Sequence, residues 1–126
     1  MKLPPRISAA EWEIMEVLWQ RAPLTASEVV RELAGHTDWK DQTIRTMLGR
    51  LVRKQAVAYR ADGKTYHYRP AVTRAQCVHT AGQSFVARMF DGATAAMLIH
   101  FVKNQPLTVS EIAELQAVLR EKKKGV

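Results

Sequence analysis

Cysteine is nearly absent from this chain of 126 residues: Cys77 stands alone. That excludes an internal disulfide and a cluster of thiolate metal ligands. Long apolar runs are missing too. The longest, Ala95–Ile99, is far too short to span a bilayer. Glu11, Glu13 and Glu16 occupy the stretch where a signal peptide needs apolar residues, so a soluble cytoplasmic protein is expected. No HExxH motif, glycine-rich phosphate loop or recognisable Ser/His/acid grouping occurs. The expectation is therefore no enzyme, no catalytic residue, no bound metal or other cofactor and no small-molecule substrate. Internal repeats are lacking, and the only low-complexity tract is Lys122-Lys123-Lys124.

What is present suits one domain, or a small domain with an appendage: 47% of residues are hydrophobic and 25% charged. The net charge is +7 and the pI about 9.9, which makes nucleic acid the first partner to consider. Distribution decides the matter. Residues 1–39 hold four basic and six acidic side chains, whereas residues 40–72 hold eight basic and two acidic. A charge kept only for solubility would not be concentrated in this way.

Ser or Thr followed three residues later by Glu or Gln occurs at Ser8/Glu11, Thr25/Glu28, Thr73/Gln76 and Thr108/Glu111. Each pair can form a capping box, and each precedes apolar residues at helical spacing. The spacing predicts helices over 9–20, with Trp12, Ile14, Val17 and Leu18 inward, and over 26–34, closed by Gly35 as a left-handed cap. A third helix, capped by Asp38, is expected over 39–55. Strands are expected over 56–61 and 65–69, joined by Asp62-Gly63-Lys64, since Gly tolerates the positive φ of a tight turn. Three further helices follow, over 73–90, 93–103 and 109–122. The expected fold is mainly α with a small β-hairpin.

On the third helix Ile44, Met47, Leu48, Leu51 and Val52 form one stripe. The opposite stripe holds Gln42, Arg45, Thr46, Gly49, Arg50 and Arg53, without an acid among them. Gln and Arg make bidentate contacts to adenine and guanine edges, and Thr can bond a base or touch a thymine methyl. Gln42, Arg45 and Thr46 lie in the first half of the helix, the end a recognition helix pushes into the major groove. Arg50, Arg53 and Lys54 are better placed for phosphates. Arg60 and Lys64 extend the charge along the hairpin. Tyr59, Tyr66 and Tyr68 are expected to cover the core. Short helix, linker, long helix and hairpin form the pattern of a winged helix, which binds double-stranded DNA.

The C-terminal half carries two apolar groups, Met97, Ile99, Phe101 and Val102, and then Ile112, Leu115, Val118 and Leu119. They are too many for a small appendage to hide alone, so a homodimer is expected, with packing on the winged helix within one chain as the alternative.

Ile7-Ser8-x-x-Glu11-Trp12-Glu13-x-Met15, Leu18-Trp19, and Asp38-Trp39-x-x-x-Thr43-Ile44-x-Thr46-x-x-x-Arg50-Leu51-x-x-Lys54 resemble the BlaI/MecI/CopY family of bacterial repressors. The similarity continues through Tyr66-x-Tyr68-x-Pro70, Phe101-Val102 and Leu107-x-x-x-Glu111-Ile112-x-x-Leu115. It implies a winged-helix domain over 1–72 and a helical dimerisation domain over 73–126. It also implies a repressor of β-lactamase or related resistance genes on a palindromic operator, inactivated by a protease under a membrane sensor. Carried over by position, Gln42, Thr43, Arg45 and Thr46 lie in the major groove, although Gln42 replaces the Lys common in the family. The cleavage site corresponds to His100–Phe101, where His departs from the family's Asn. Copper-responsive relatives have Cys-x-Cys pairs near the C-terminus that this chain does not have; Cys77-Val78-His79 is its only soft pair. A metal-responsive repressor, or an interaction module that does not bind DNA, are the alternatives.

Overall fold

The computed structural model describes residues 5–125. Six helices and a three-stranded sheet run in the order α1 (Ala9–Gln20), β1 (Leu24–Thr25), α2 (Ala26–Leu33), α3 (Asp41–Arg53), β2 (Val57–Asp62), β3 (Thr65–Pro70), α4 (Arg74–Met89), α5 (Thr94–Asn104) and α6 (Val109–Lys124).

All four capping pairs form in both directions. The hydroxyls of Ser8, Thr25, Thr73 and Thr108 accept from the backbone N–H of Glu11, Glu28, Gln76 and Glu111 at 3.0–3.2 Å. The longer side chains accept in return from the capping residues' own N–H at 2.8–2.9 Å. Two orphan donors are satisfied at each helix start.

Helix α3 differs from its expected bounds. It starts at Asp41 behind Lys40, which makes no side-chain cap, and not at Trp39 behind Asp38. It ends at Arg53, because Gln55 turns into the left-handed region at φ 67° and redirects the chain into β2. Helix α2 ends at Leu33 with Ala34 still right-handed, so Gly35 is no left-handed cap. In the hairpin Asp62 pairs with Thr65, leaving a two-residue turn in which Gly63 takes φ 62°. Pattern reading missed β1, which is too short to alternate; it pairs antiparallel with β3 and sets the order β1-β3-β2.

The core gathers Ile14, Met15 and Leu18 of α1, Val29 and Leu33 of α2, Ile44, Met47, Leu48 and Leu51 of α3, with Leu24, Ala56 and Val57. Each fully buried large aliphatic side chain contributes about 1.5–3 kcal/mol. Trp12, expected inside, is half-buried: its ring meets Trp19 edge-on at 5.4 Å and its N–H donates to Glu16.

The chain parts into two compact units, one up to Ser84 and one from Phe85. The division falls within α4, beyond the 72/73 boundary expected from the sequence. Trp19 Nε1 donates to the Val72 carbonyl at 3.0 Å, Arg74 Nε donates to Glu16 at 2.8 Å, and Cys77 is buried, all within the first unit. In the second unit the rings of Phe85, Phe90 and Phe101 meet at 5.9–6.4 Å. Asp91 and Gly92, both at positive φ, turn the chain from α4 towards α5.

Candidate nucleic-acid interface

Helix α3 separates its two faces by burial. Ile44, Met47, Leu48 and Leu51 are buried, whereas Gln42, Thr43, Arg45, Thr46, Arg50 and Arg53 are exposed. The exposed side chains keep an internal order. Arg45 donates through Nε to the Asp41 carboxylate and through Nη2 to Ser27 Oγ at 3.0 Å. Gln42 Nε2 lies 3.5 Å from Thr46 Oγ1. The guanidinium is thus held in a fixed direction before any ligand arrives. Asp41, one helical turn before Arg45, borders a stripe that otherwise holds no acid, and neither it nor Ser27 stood out in the sequence. The Arg-four-residues-after-Asp spacing was the available signal for the first.

Between α3 and the wing lies an open cleft of about 230 Å³, lined by Thr25, Ala26, Ser27, Arg45, Lys64, Thr65, Tyr66 and Tyr68. The register brings it about: Tyr59 pairs with Tyr68, and Ala61 with Tyr66, so all three tyrosines share one face of the hairpin. Tyr68 packs against the core; burial, helped by the neighbouring Tyr66, pushes its hydroxyl pKa up, against the opposing pull of Arg45. Tyr59 and Tyr66 do not cover the core as expected. They stack on each other at 4.5 Å and are each 44% exposed, in the part of the hairpin towards its turn where β2 is exposed throughout.

Lys54 also departs from expectation. Its ammonium is turned away from the exposed face of α3, donating to Glu11 Oε1 at 2.5 Å and to the Arg6 carbonyl at 2.9 Å. A fully buried carboxylate is costly without a partner, and Lys54 supplies it. The sequence marks Glu11 as a capping residue, but its place three, four and seven residues before Ile14, Met15 and Leu18 also puts it on the buried stripe of α1, and that spacing is the signal for its burial. Arg60 and Lys64 are exposed. Cys77 is buried, which pushes its thiol pKa up, and His79 is exposed, so the only soft pair is split between inside and outside.

Helices α5 and α6 contain no buried residue. Ile99, Phe101, Val102, Ile112, Leu115, Val118 and Leu119 are 38–64% exposed, and Met97 is half-buried. His100 and Phe101 lie in the middle of α5, with their rings in edge contact at 5.4 Å. No single helix among the described residues is long and apolar enough to cross a membrane.

Three helices, a flanking β1 strand and a basic hairpin define a winged-helix protein of the helix-turn-helix type. Residues 7–121 match the family described as Penicillinase repressor, and the chain belongs to that family. It is 35% identical to the penicillinase repressor of Bacillus licheniformis over 98% of this chain and 96% of the relative. It is 29% identical to the methicillin resistance regulatory protein MecI of Mammaliicoccus sciuri, over 92% and 94%. The solution structure of the DNA-binding domain of the repressor BlaI aligns with a TM-score of 0.54 at 37% identity, covering 60% of this chain and 93% of that one. The monomeric form of Bacillus licheniformis BlaI in complex with the blaP half-operator aligns at 0.53, with the same identity and coverage. MarR from E. coli, at 19% identity and a TM-score of 0.51, shares the fold alone.

Proposed function

We propose that this protein is a DNA-binding transcriptional repressor that acts as a homodimer on a palindromic operator and controls β-lactamase or related resistance genes. The carrying observation is the exposed face of α3, where Gln42, Thr43, Arg45 and Thr46 stand free of the core beside a basic hairpin. The relative's complex with a half-operator supports duplex DNA as the ligand. In this reading these four side chains meet base edges in the major groove, while Arg50, Arg53, Arg60 and Lys64 meet phosphates.

A two-fold dimer would read two half-sites about one helical turn, or ~34 Å, apart. The uncovered apolar faces of α5 and α6 support a second copy as the missing cover, since contiguous exposed apolar surface of this kind marks an interface. Release by a sensor-controlled protease at His100–Phe101 completes the reading. The bond sits inside a regular helix, so the segment must open before a protease can bind it as extended chain.

The test is fluorescence anisotropy of the full chain on duplexes enriched from a random-sequence pool. Enrichment of a palindrome, bound far more tightly than random duplex, is expected. Equal binding to every duplex would overturn specific repression, and no binding at all would leave an interaction module.

A further inference from the structure

Among the described side chains on the exposed face of α3, Arg45 is anchored from two helices at once. Its Nε donates to the Asp41 carboxylate, one turn earlier on α3. Its Nη2 donates to Ser27 Oγ, 3.0 Å away in the first turn of α2. An exposed pair at this helical spacing adds little stability and needs no third partner. Ser27 lies 18 positions away in sequence, so the guanidinium is registered against the frame of two helices rather than against α3 alone. Gln42, by contrast, meets only Thr46 on its own helix, at a marginal 3.5 Å. Lys64 lines the same cleft as Arg45 and Ser27, and among the described residues it forms no ion pair. Two cations thus share one cleft, and a carboxylate neutralises one of them.

We propose that Asp41 and Ser27 are specificity-determining residues, which hold Arg45 for a guanine edge and turn it away from phosphate. The inference rests on the DNA-binding reading and adds which residues set the base that Arg45 reads. Charge separates the two ligands. Phosphate is an anion, and the Asp41 carboxylate beside the guanidinium repels it. Guanine O6 and N7 are neutral acceptors, so the carboxylate opposes that contact far less. The donors suffice as well. Of the five N–H groups on a guanidinium, Asp41 takes the one on Nε and Ser27 one on Nη2. Those left, on Nη1 and Nη2, exceed the two that guanine accepts. Adenine and cytosine present an amino donor in the major groove, which a guanidinium cannot bond. A mobile arginine facing the wrong base swings to another acceptor, whereas a held one leaves its donors unmet. Rotamer freedom already lost in the free protein is not lost again on binding.

The experiment measures binding of the full chain, R45A, D41A, S27A and D41A/S27A to three kinds of DNA. These are the enriched duplex, every single-base-pair replacement within one half-site, and random duplex across a salt titration. Circular dichroism melts confirm that these surface variants fold. R45A marks the base pair that Arg45 reads: the parent should favour guanine there by ~5–150-fold, and R45A should not. At that base pair alone, D41A and S27A should each lose part of the preference, and the double variant most of it. A residue that merely supported the fold would weaken binding to every replacement alike. On random duplex D41A should bind more tightly, with a slope of log K against log salt steeper by about 0.9, as the freed guanidinium takes a phosphate. An undiminished guanine preference in folded D41A/S27A overturns the inference, as do losses spread evenly over the half-site. A base other than guanine at the marked position overturns it too. So does a preference lost in D41A but kept in R45A, which would make Asp41 itself the reader. Failure of the parent to enrich any duplex would sink the repressor reading instead, so the two failures are distinct.

Discussion

Lys54 Nζ lies 2.5 Å from Glu11 Oε1, joining the residue just past α3 to the first turn of α1 across 43 positions of sequence. The same Glu11 oxygen accepts from the Ser8 backbone N–H at 2.9 Å, and Oε2 has no hydrogen-bond partner among the described residues. The Glu11 side chain is fully buried, whereas that of Lys54 keeps 31% exposure. Buried ion pairs add little net stability against an apolar pair, but an unpaired buried charge is costly. The pair therefore ties the end of α3 to α1 more than it strengthens the fold.

This asymmetry predicts unequal single-variant effects. Lys54→Met strands a buried carboxylate and should cost about 3 kcal/mol. Glu11→Gln frees a lysine that can turn to water and should cost about 1 kcal/mol. The double variant should recover part of the Lys54→Met loss, as coupled neighbours do. Urea melts of the three variants check this. A Lys54→Met loss no larger than that of Glu11→Gln would show that the carboxylate is not truly stranded.

Acid should weaken the fold through the same group. Burial pushes the Glu11 carboxyl up, yet the Lys54 ammonium and the backbone N–H and hydroxyl of Ser8 outweigh it and hold the pKa below its ordinary value. A depressed carboxylate pKa contributes stability that is present above the unfolded-state value and lost as pH falls through the folded one. Stability should thus decline below the ordinary carboxylate range, and Glu11→Gln should decline less steeply. Parallel slopes for parent and variant in denaturant melts taken at successive pH values would remove Glu11 from the account.

Base reading and phosphate holding should separate in variants of α3. Arg45→Ala or Thr46→Ala should cost about 1–3 kcal/mol on the enriched duplex and relax base preference. Arg50→Ala should weaken enriched and random duplex alike and flatten the salt dependence by about one unit of slope. Equal losses on both duplexes for Arg45→Ala would mean that Asp41 and Ser27 hold its guanidinium for the backbone rather than for a base.

Assembly through the second unit predicts that Leu115→Asp or Leu119→Asp, which place a charge in an apolar contact, yield a monomer with an intact N-terminal fold. Sedimentation velocity of the parent and both variants reports it. A parent that sediments as a monomer at tens of micromolar would end the dimer proposal.

If cleavage at His100–Phe101 is the switch, it detaches α6 and the end of α5. It deprives each winged helix of its partner's effective concentration, which weakens binding by a factor of ~10²–10⁴. Mass spectrometry of the protein from induced cells should find the Met1–His100 fragment. An intact chain in fully derepressed cells would rule the cut out as the cause.

Much of what neighbours a few residues apart determine was legible in the sequence, although the start of α3 and the close of α2 were not. The four capping boxes, the turn at Gly63, the two faces of α3 and the bounds of α1 depend on side chains one turn away or on a single backbone dihedral. The resemblance that names the family lies in those same segments. Tertiary structure alone decided the pairings between distant segments. It paired Thr25 with His67 to add a strand too short to show a period, and sent Lys54 inward to Glu11. It left Tyr59 and Tyr66 outside the core, and extended the first compact unit into α4 through Trp19, Glu16 and Cys77. A local pattern reports which face of an element is apolar. Whether a given side chain is finally covered, paired or left in water depends on what the rest of the chain brings against it, and no short window of sequence contains that information.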